Sequence, residues 1–120
     1  MSEPSTKRQL IMYVTQAQRE WLRKAAVGST QRDVILDAIE QAESAGDLGW
    51  AVSEALRPDT SGLFERSRAV RGDQVQISLV MLASHIEVMD RLVARHGAPN
   101  RSALVRAAIT YARDHSRRRA

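Results

Sequence analysis

The chain has 120 residues, a net charge of +4, no cysteine and few aromatic side chains. This length allows one domain or two very small ones, and the lack of cysteine excludes a disulfide framework and fits a reducing cytoplasm. No apolar run approaches the roughly 18 residues of a membrane helix, and the polar first residues carry no apolar segment typical of a secretory signal. We therefore expect a cytoplasmic protein that has no membrane partner.

Positive charge is concentrated in the second half of the chain. Residues 1–60 contain seven Lys and Arg against nine Asp and Glu, a net charge of −2. Residues 61–120 contain eleven against five, a net charge of +6. Such an excess is typical of a phosphate-binding surface, although three arginines at 117–119 would also form a solvated basic tail.

Residues 1–41 predict a strand followed by two helices. The stretch 8–14 is β-branched and aromatic enough for a strand, and Thr15 is placed to cap the helix after it. A Gly-Ser-Thr break precedes a second helix, in which Asp33 lies near the positive end that begins at Thr30. The apolar face of this second helix consists of Val34, Ile35, Ala38 and Ile39.

Residues 42–73 are predicted to join the two halves of the chain. A short helix over 48–56 is expected, and Pro58 prevents it from continuing. The following stretch mixes Pro, Gly, Ser and Arg with Leu63 and Phe64, which predicts a mobile linker with one apolar docking point.

Residues 74–120 predict a second strand and two more helices. Apolar and polar residues alternate over 76–81, and two stretches of helical periodicity follow, separated by a break at 97–99. The last helix, which begins at Asn100, is apolar on most of its girth and must be buried on most sides. A unit this small cannot bury so much surface alone, so we expect a second copy to pair with its strand and form an obligate dimer.

Three features of this unit resemble the ribbon-helix-helix family of DNA-binding proteins, the Arc/MetJ/CopG type. They are the alternating strand, the helix end at 90–97, and the helix start at 100–109, which is close to the family pattern Ser/Asn-Arg-Ser-x-Leu-Ile/Val-Arg-x-Ala-Ile. The resemblance implies a mainly α fold with short β-strands, in which two β-α-α units form a two-stranded antiparallel ribbon on four helices.

By this resemblance the outward side chains of the strand contact bases. A two-stranded ribbon fits the major groove, where Gln can bond adenine twice, Ser can bond several bases and Val can touch a thymine methyl. The candidate base-contacting residues are Gln76, Ser78 and Val80. An exposed strand face with ordinary polar residues would look the same.

The start of the last helix is the expected phosphate site. Free backbone amides and the positive end of the helix dipole bind anions readily, and the family uses this helix end to hold the DNA backbone. The residues in question are Asn100, Arg101 and Ser102. A simple helix cap would use Asn100 in the same way and leave Arg101 solvated.

The two halves align on their last helices, with 30–39 over 100–109. This predicts a degenerate second ribbon-helix-helix unit in residues 1–41, although its first helix is about a turn shorter and Leu36 replaces Arg106. The outward residues of a possible second ribbon are Gln9, Ile11 and Tyr13. This unit would pair with a second chain, pair within the same chain, or bind a partner protein.

These observations predict a sequence-specific double-stranded DNA-binding protein, most simply a transcriptional repressor that binds repeats as a homodimer or a higher array. A plasmid partition or conjugation accessory role stays open, as does a toxin-neutralising antitoxin. The sequence contains no phosphate loop, dinucleotide turn or nucleophile elbow, and its three histidines lie far apart. We therefore expect no enzymatic activity, no cofactor and no metal.

Overall fold

The computed structural model describes residues 6–56, 58–59, 66–67 and 74–119. In chain order the elements are β1 (Lys7–Thr15), α1 (Gln16–Ala25), α2 (Gln31–Ser44), α3 (Leu48–Leu56), β2 (Pro58–Asp59), β3 (Arg66–Ser67), β4 (Gln74–Leu82), α4 (Ala83–His96) and α5 (Arg101–Arg119). The protein is thus mainly helical, as predicted, with a strand and two helices both at its start and at its end.

The middle of the chain is described only in part. The helix predicted over 48–56 is present as α3, and β2 and β3 pair with each other in antiparallel fashion. The predicted apolar docking point at Leu63 and Phe64 lies outside the described residues. None of the helices in the described ranges is long and apolar enough to cross a membrane.

The two long strands pair with each other within one chain. β1 and β4 are antiparallel over nine residues each, from Lys7 opposite Leu82 to Thr15 opposite Gln74. The backbone edge of β4 that we expected to pair with a second copy of the chain therefore pairs with β1. A strand of equal length in the same chain has a much higher effective concentration than a strand in a second molecule, which favours the internal partner.

Each strand of the ribbon has one buried and one exposed face. The side chains that point inward are Leu10, Met12, Val14, Ile77, Leu79 and Met81, and all six are buried. They belong to one hydrophobic cluster that also contains residues of α1, α2, α3, α4 and α5. The two halves of the chain consequently share a single core, to which α3 also contributes.

The predicted helix starts and breaks are confirmed. The Thr15 side chain accepts from the backbone N–H of Gln18, so β1 passes directly into α1, and Thr30 Oγ1 accepts from the N–H of Asp33 at the start of α2. Gly97 ends α4 with a φ of 69°, a left-handed conformation that glycine adopts without steric cost. Helix α1 has 10 residues and α4 has 14, which is the predicted difference of about one turn.

Helix α5 lies at the centre of the helical layer. Leu104, Val105 and Ile109 are fully buried, because α5 contacts β1 and all four other helices. Helix α3 packs along α5, and the Tyr111 hydroxyl donates to the Asp47 carboxylate at 2.8 Å. The apolar girth that suggested a second copy of the chain is thus covered by elements of the same chain.

Candidate nucleic-acid interface

The exposed face of the ribbon contains the three residues predicted to contact bases together with the three outward residues of the possible second ribbon. In the antiparallel register three cross-strand pairs follow one another: Gln9 with Val80, Ile11 with Ser78, and Tyr13 with Gln76. All six side chains are exposed, and they alternate with the buried ones along each strand. The structure therefore brings together on one face two groups that lie more than sixty residues apart in sequence.

This face combines amide and hydroxyl groups with unusually exposed apolar side chains. Gln9 Nε2 donates to Ser78 Oγ at 2.6 Å, which connects the two strands. Ile11 is 52% exposed, Tyr13 45% and Val80 50%, although neighbouring residues on the other face are almost completely buried. Since large apolar side chains grouped on a surface often mark an interaction site, this face is the first candidate for one.

The start of α5 is bonded to the outer edge of β1. Ser102 Oγ accepts from the backbone N–H of Tyr13 at 3.0 Å, and Arg106 Nη1 donates to the Tyr13 carbonyl oxygen at 2.8 Å. These two bonds satisfy backbone groups that the edge of a two-stranded ribbon would otherwise expose. Ser102, which we expected to contact phosphate, thus fixes the position of the ribbon relative to α5.

Arg106 was not among the predicted site residues. Partial burial lowers its pKa, but an arginine stays protonated at neutral pH because its ordinary pKa is so high. The sequence signal that would have pointed to it is its place one turn after Ser102, on the same side of the helix.

Arg101 is engaged in an ion pair within the protein. Its Nε and Nη2 atoms bond the two carboxylate oxygens of Asp90 in α4 at 2.6 and 2.8 Å. The hydrogen bonds from Arg101 lower the pKa of Asp90, and the same bonds raise the pKa of Arg101. A guanidinium has five N–H donors, so the two given to Asp90 leave further donors for an anion. Asn100 caps the helix as expected, since its Oδ1 accepts from the N–H of Ala103 at 2.8 Å.

Helix α2 is the counterpart of α5 in the first half of the chain. Helix α2 contacts β4, and when the capping residues Thr30 and Asn100 are aligned, Arg32 corresponds to Ser102 and Leu36 to Arg106. Arg32 Nε bonds the carboxylate of Asp33 at 3.2 Å, in a partly exposed ion pair. At the position that corresponds to the backbone-binding Arg106, α2 therefore has the apolar side chain of Leu36.

A buried glutamine connects the ribbon to α5. Gln18 is 6% exposed; its Oε1 accepts from the N–H of Thr15 at 3.0 Å, and its Nε2 donates to the Arg106 carbonyl and the Thr110 hydroxyl, both at 3.2 Å. The end of β1 is thus bonded to the middle of α5. Gln18 was not among the predicted site residues, although the spacing of Thr15 and Gln18 is that of a capping box.

The three histidines do not come together. His96 Nε2 lies 3.0 Å from Glu43 Oε1, whereas His115 stacks on Tyr111 with ring centroids 3.9 Å apart. In the part of the chain that the structure describes, no group of three or more His, Asp or Glu side chains is arranged to hold a metal ion.

Comparisons with known proteins found no family model, no curated protein and no solved structure that matches this chain.

Proposed function

We propose that this chain is a sequence-specific double-stranded DNA-binding protein that inserts the β1–β4 ribbon into the major groove. The observation that supports this most directly is the exposed ribbon face, on which six alternating side chains project from two paired strands. The major groove is wide enough for a two-stranded ribbon, and the outward side chains then reach the base edges. The motif resemblance of residues 76–109 to ribbon-helix-helix proteins supports the same function.

The side chains of this face have the chemistry for base reading. The amides of Gln9 and Gln76 can each bond the two major-groove groups of adenine, and the Ser78 hydroxyl can donate or accept. Ile11 and Val80 offer methyl groups for contact with thymine methyls. Because none of these side chains belongs to the hydrophobic core, the ribbon can present them without loss of folding stability.

Phosphate contacts are assigned to groups that flank the ribbon. Lys7 and Arg8 are exposed on β1, and the capped start of α5 presents backbone amides together with the remaining donors of Arg101. Helix starts bind phosphate through these amides and through the dipole. The net charge of +6 on residues 61–120 favours approach to the DNA backbone.

We propose further that the two halves are a degenerate repeat, so that one chain forms a complete ribbon. Each half contributes a strand, a helix that follows the strand directly, and a second helix whose start is capped by a side chain, joined in the same order. Additional copies of the chain would then bind neighbouring sequence repeats in the DNA and form an array. Bound near a promoter, such an array acts as a transcriptional repressor.

A second role, as a plasmid partition or conjugation accessory protein or as an antitoxin, requires a protein partner as well. One observation favours such a partner: Trp50 on α3 is 64% exposed beside a cavity of about 570 Å³ between α3 and α5. Co-purification of a second protein with the wild-type chain, and its loss with Trp50→Ala, would favour these roles over a repressor acting alone.

The function is tested by titrating the full-length protein with the DNA that flanks its own gene and with a scrambled duplex, across a salt series. We expect tighter binding to the flanking DNA and an affinity for both that falls linearly on logarithmic axes as salt rises. Glu87→Gln changes an exposed residue of α4, outside the ribbon, and this control variant should keep the preference for the flanking DNA. Absence of salt-dependent binding to either duplex would refute the proposal.

A further inference from the structure

We propose that a single chain recognises a non-palindromic DNA site, because the two halves of the ribbon present different side chains to the groove. This inference rests on the proposed DNA-binding function. It concerns the kind of sequence that is read and the number of chains that read it.

The register of the ribbon makes the two halves directly comparable. Ile11 and Ser78 form its central pair, with four further pairs on each side. A half-turn about an axis through this central pair exchanges β1 with β4 and places Gln9 on Gln76 and Tyr13 on Val80. The two strand-to-helix junctions, after residues 15 and 82, are exchanged by the same rotation.

The exchanged side chains differ in size and chemistry. The central pair combines an aliphatic residue, Ile11, with a hydroxyl, Ser78. On either side of it an aromatic residue with a phenol group, Tyr13, corresponds to a small aliphatic one, Val80. A palindromic duplex presents identical base edges to the two halves, so a side chain suited to one half-site meets an unsuitable base in the other.

Even the matching glutamines lie in different surroundings. Gln9 donates to the Ser78 hydroxyl at 2.6 Å. The half-turn places Ile11 beside Gln76 at the position that Ser78 occupies beside Gln9, and Ile11 has no acceptor. The two amides are therefore oriented by different neighbours, and we expect them to read different positions or different bases.

The two ends of the ribbon are also attached differently to the helices. Ser102 and Arg106 bond the backbone N–H and carbonyl of Tyr13, whereas Arg32 and Leu36 stand at the corresponding positions of α2. Leu36 has no donor for a carbonyl. The end of the ribbon at Tyr13 is thus hydrogen-bonded to α5 by two bonds that Arg32 and Leu36 cannot form at the other end. We therefore expect the two ends to be held differently relative to the DNA.

The full-length wild-type protein first selects binding sites from a random duplex library. Its affinity and stoichiometry are then measured on three defined duplexes. One carries the selected site, and the other two are palindromes made from its left or right half. We expect a selected site with unlike halves, binding of one chain per duplex measured by sedimentation, and affinity for each palindrome reduced about tenfold or more, as for one or more mismatched base pairs.

A double variant makes the complementary test. Ile11→Ser with Tyr13→Val gives the three central outward positions of β1 the same residues as those of β4. Both substituted positions are about half exposed, so the core is unchanged. Selection with this variant should yield a more symmetric site, whereas the control Glu87→Gln should select the wild-type site. Circular dichroism confirms that each variant is folded.

Two results would overturn the inference while leaving DNA binding intact. One is a palindromic site selected by the wild-type protein, and the other is two chains bound to each selected site. A library in which no sequence is enriched, together with absence of salt-dependent binding, would instead refute the DNA-binding function on which the inference depends.

Discussion

Arg101 on α5 and Asp90 on α4 form an ion pair with two hydrogen bonds, at 2.6 and 2.8 Å, beside the helix start that we propose to meet phosphate. The carboxylate both positions the guanidinium and places a negative charge near the expected path of the DNA backbone. Asp90 therefore repels a phosphate group that approaches the remaining N–H donors of Arg101.

Asp90→Asn is expected to strengthen binding to the specific site (the operator) and to random DNA alike. The substitution removes this negative charge and replaces the ion pair with Arg101 by weaker hydrogen bonds. The gain should be greatest at low salt, as for any interaction with phosphate. Glu87→Gln removes the same charge from the same helix, outside the ion pair. Equal effects of the two variants in a salt-series titration would show that only net charge matters.

The acid stability of the protein should depend in part on Asp90. Its pKa is lowered in the folded state by the hydrogen bonds from Arg101, so the ion pair contributes stability above the unfolded pKa of about 3.9 and loses it as the pH falls through the lower folded value. Both side chains are partly exposed, and the contribution should be about 0.2–1 kcal/mol. Thermal melts below pH 4 should show a smaller loss of stability with falling pH for Asp90→Asn than for wild type.

Base contact and phosphate contact should be separable by two substitutions. Gln76→Ala is expected to cost roughly 1–3 kcal/mol on the operator and to relax the preference at one base position. Arg101→Ala should weaken operator and random DNA similarly and lower the salt slope by about 1. If Gln76→Ala weakened both duplexes equally and Arg101→Ala affected only the operator, the two assignments would be reversed.

The full-length chain should fold without a second copy, because β1 completes the ribbon and the helices of the same chain cover α5. Its melting temperature should therefore stay constant when the protein concentration changes a hundredfold. An obligate dimer would melt at higher temperature as concentration increases. Sedimentation equilibrium without DNA provides a second measurement, and a predominant dimer at micromolar concentration would contradict the expectation.

Gln18→Leu should destabilise the protein by about 1–3 kcal/mol, because it removes the part-buried bonds to the Arg106 carbonyl and the Thr110 hydroxyl and takes the side-chain acceptor from the Thr15 N–H. Gln16→Leu, at an exposed position in the same turn, is the control and should change the free energy of unfolding by less than about 0.5 kcal/mol. Urea unfolding curves measure both. A similar small change for the two variants would show that the hydrogen bonds of Gln18 contribute little.

Local sequence determined the elements and their faces. The period-two alternation in 76–81 indicated which side chains of β4 point inward, and the alignment of the two halves gave the outward side chains of β1; the structure shows this division in both strands. Thr15, Thr30 and Asn100 cap helices as expected. These features were predictable because side-chain direction and capping depend on residues within a few positions of one another.

Tertiary structure alone decided the partners. Whether β4 pairs with β1 or with a second chain depends on which arrangement covers more apolar surface, and no short stretch of sequence contains that information. The same holds for Ser102 and Tyr13, 89 positions apart, and for Arg101 and Asp90 across the break at Gly97. The sequence shows that Ser102 and Arg101 are polar and lie near a helix start. The free edge of β1 and the Asp90 carboxylate determine what they bond, and both come close to them only in the folded chain.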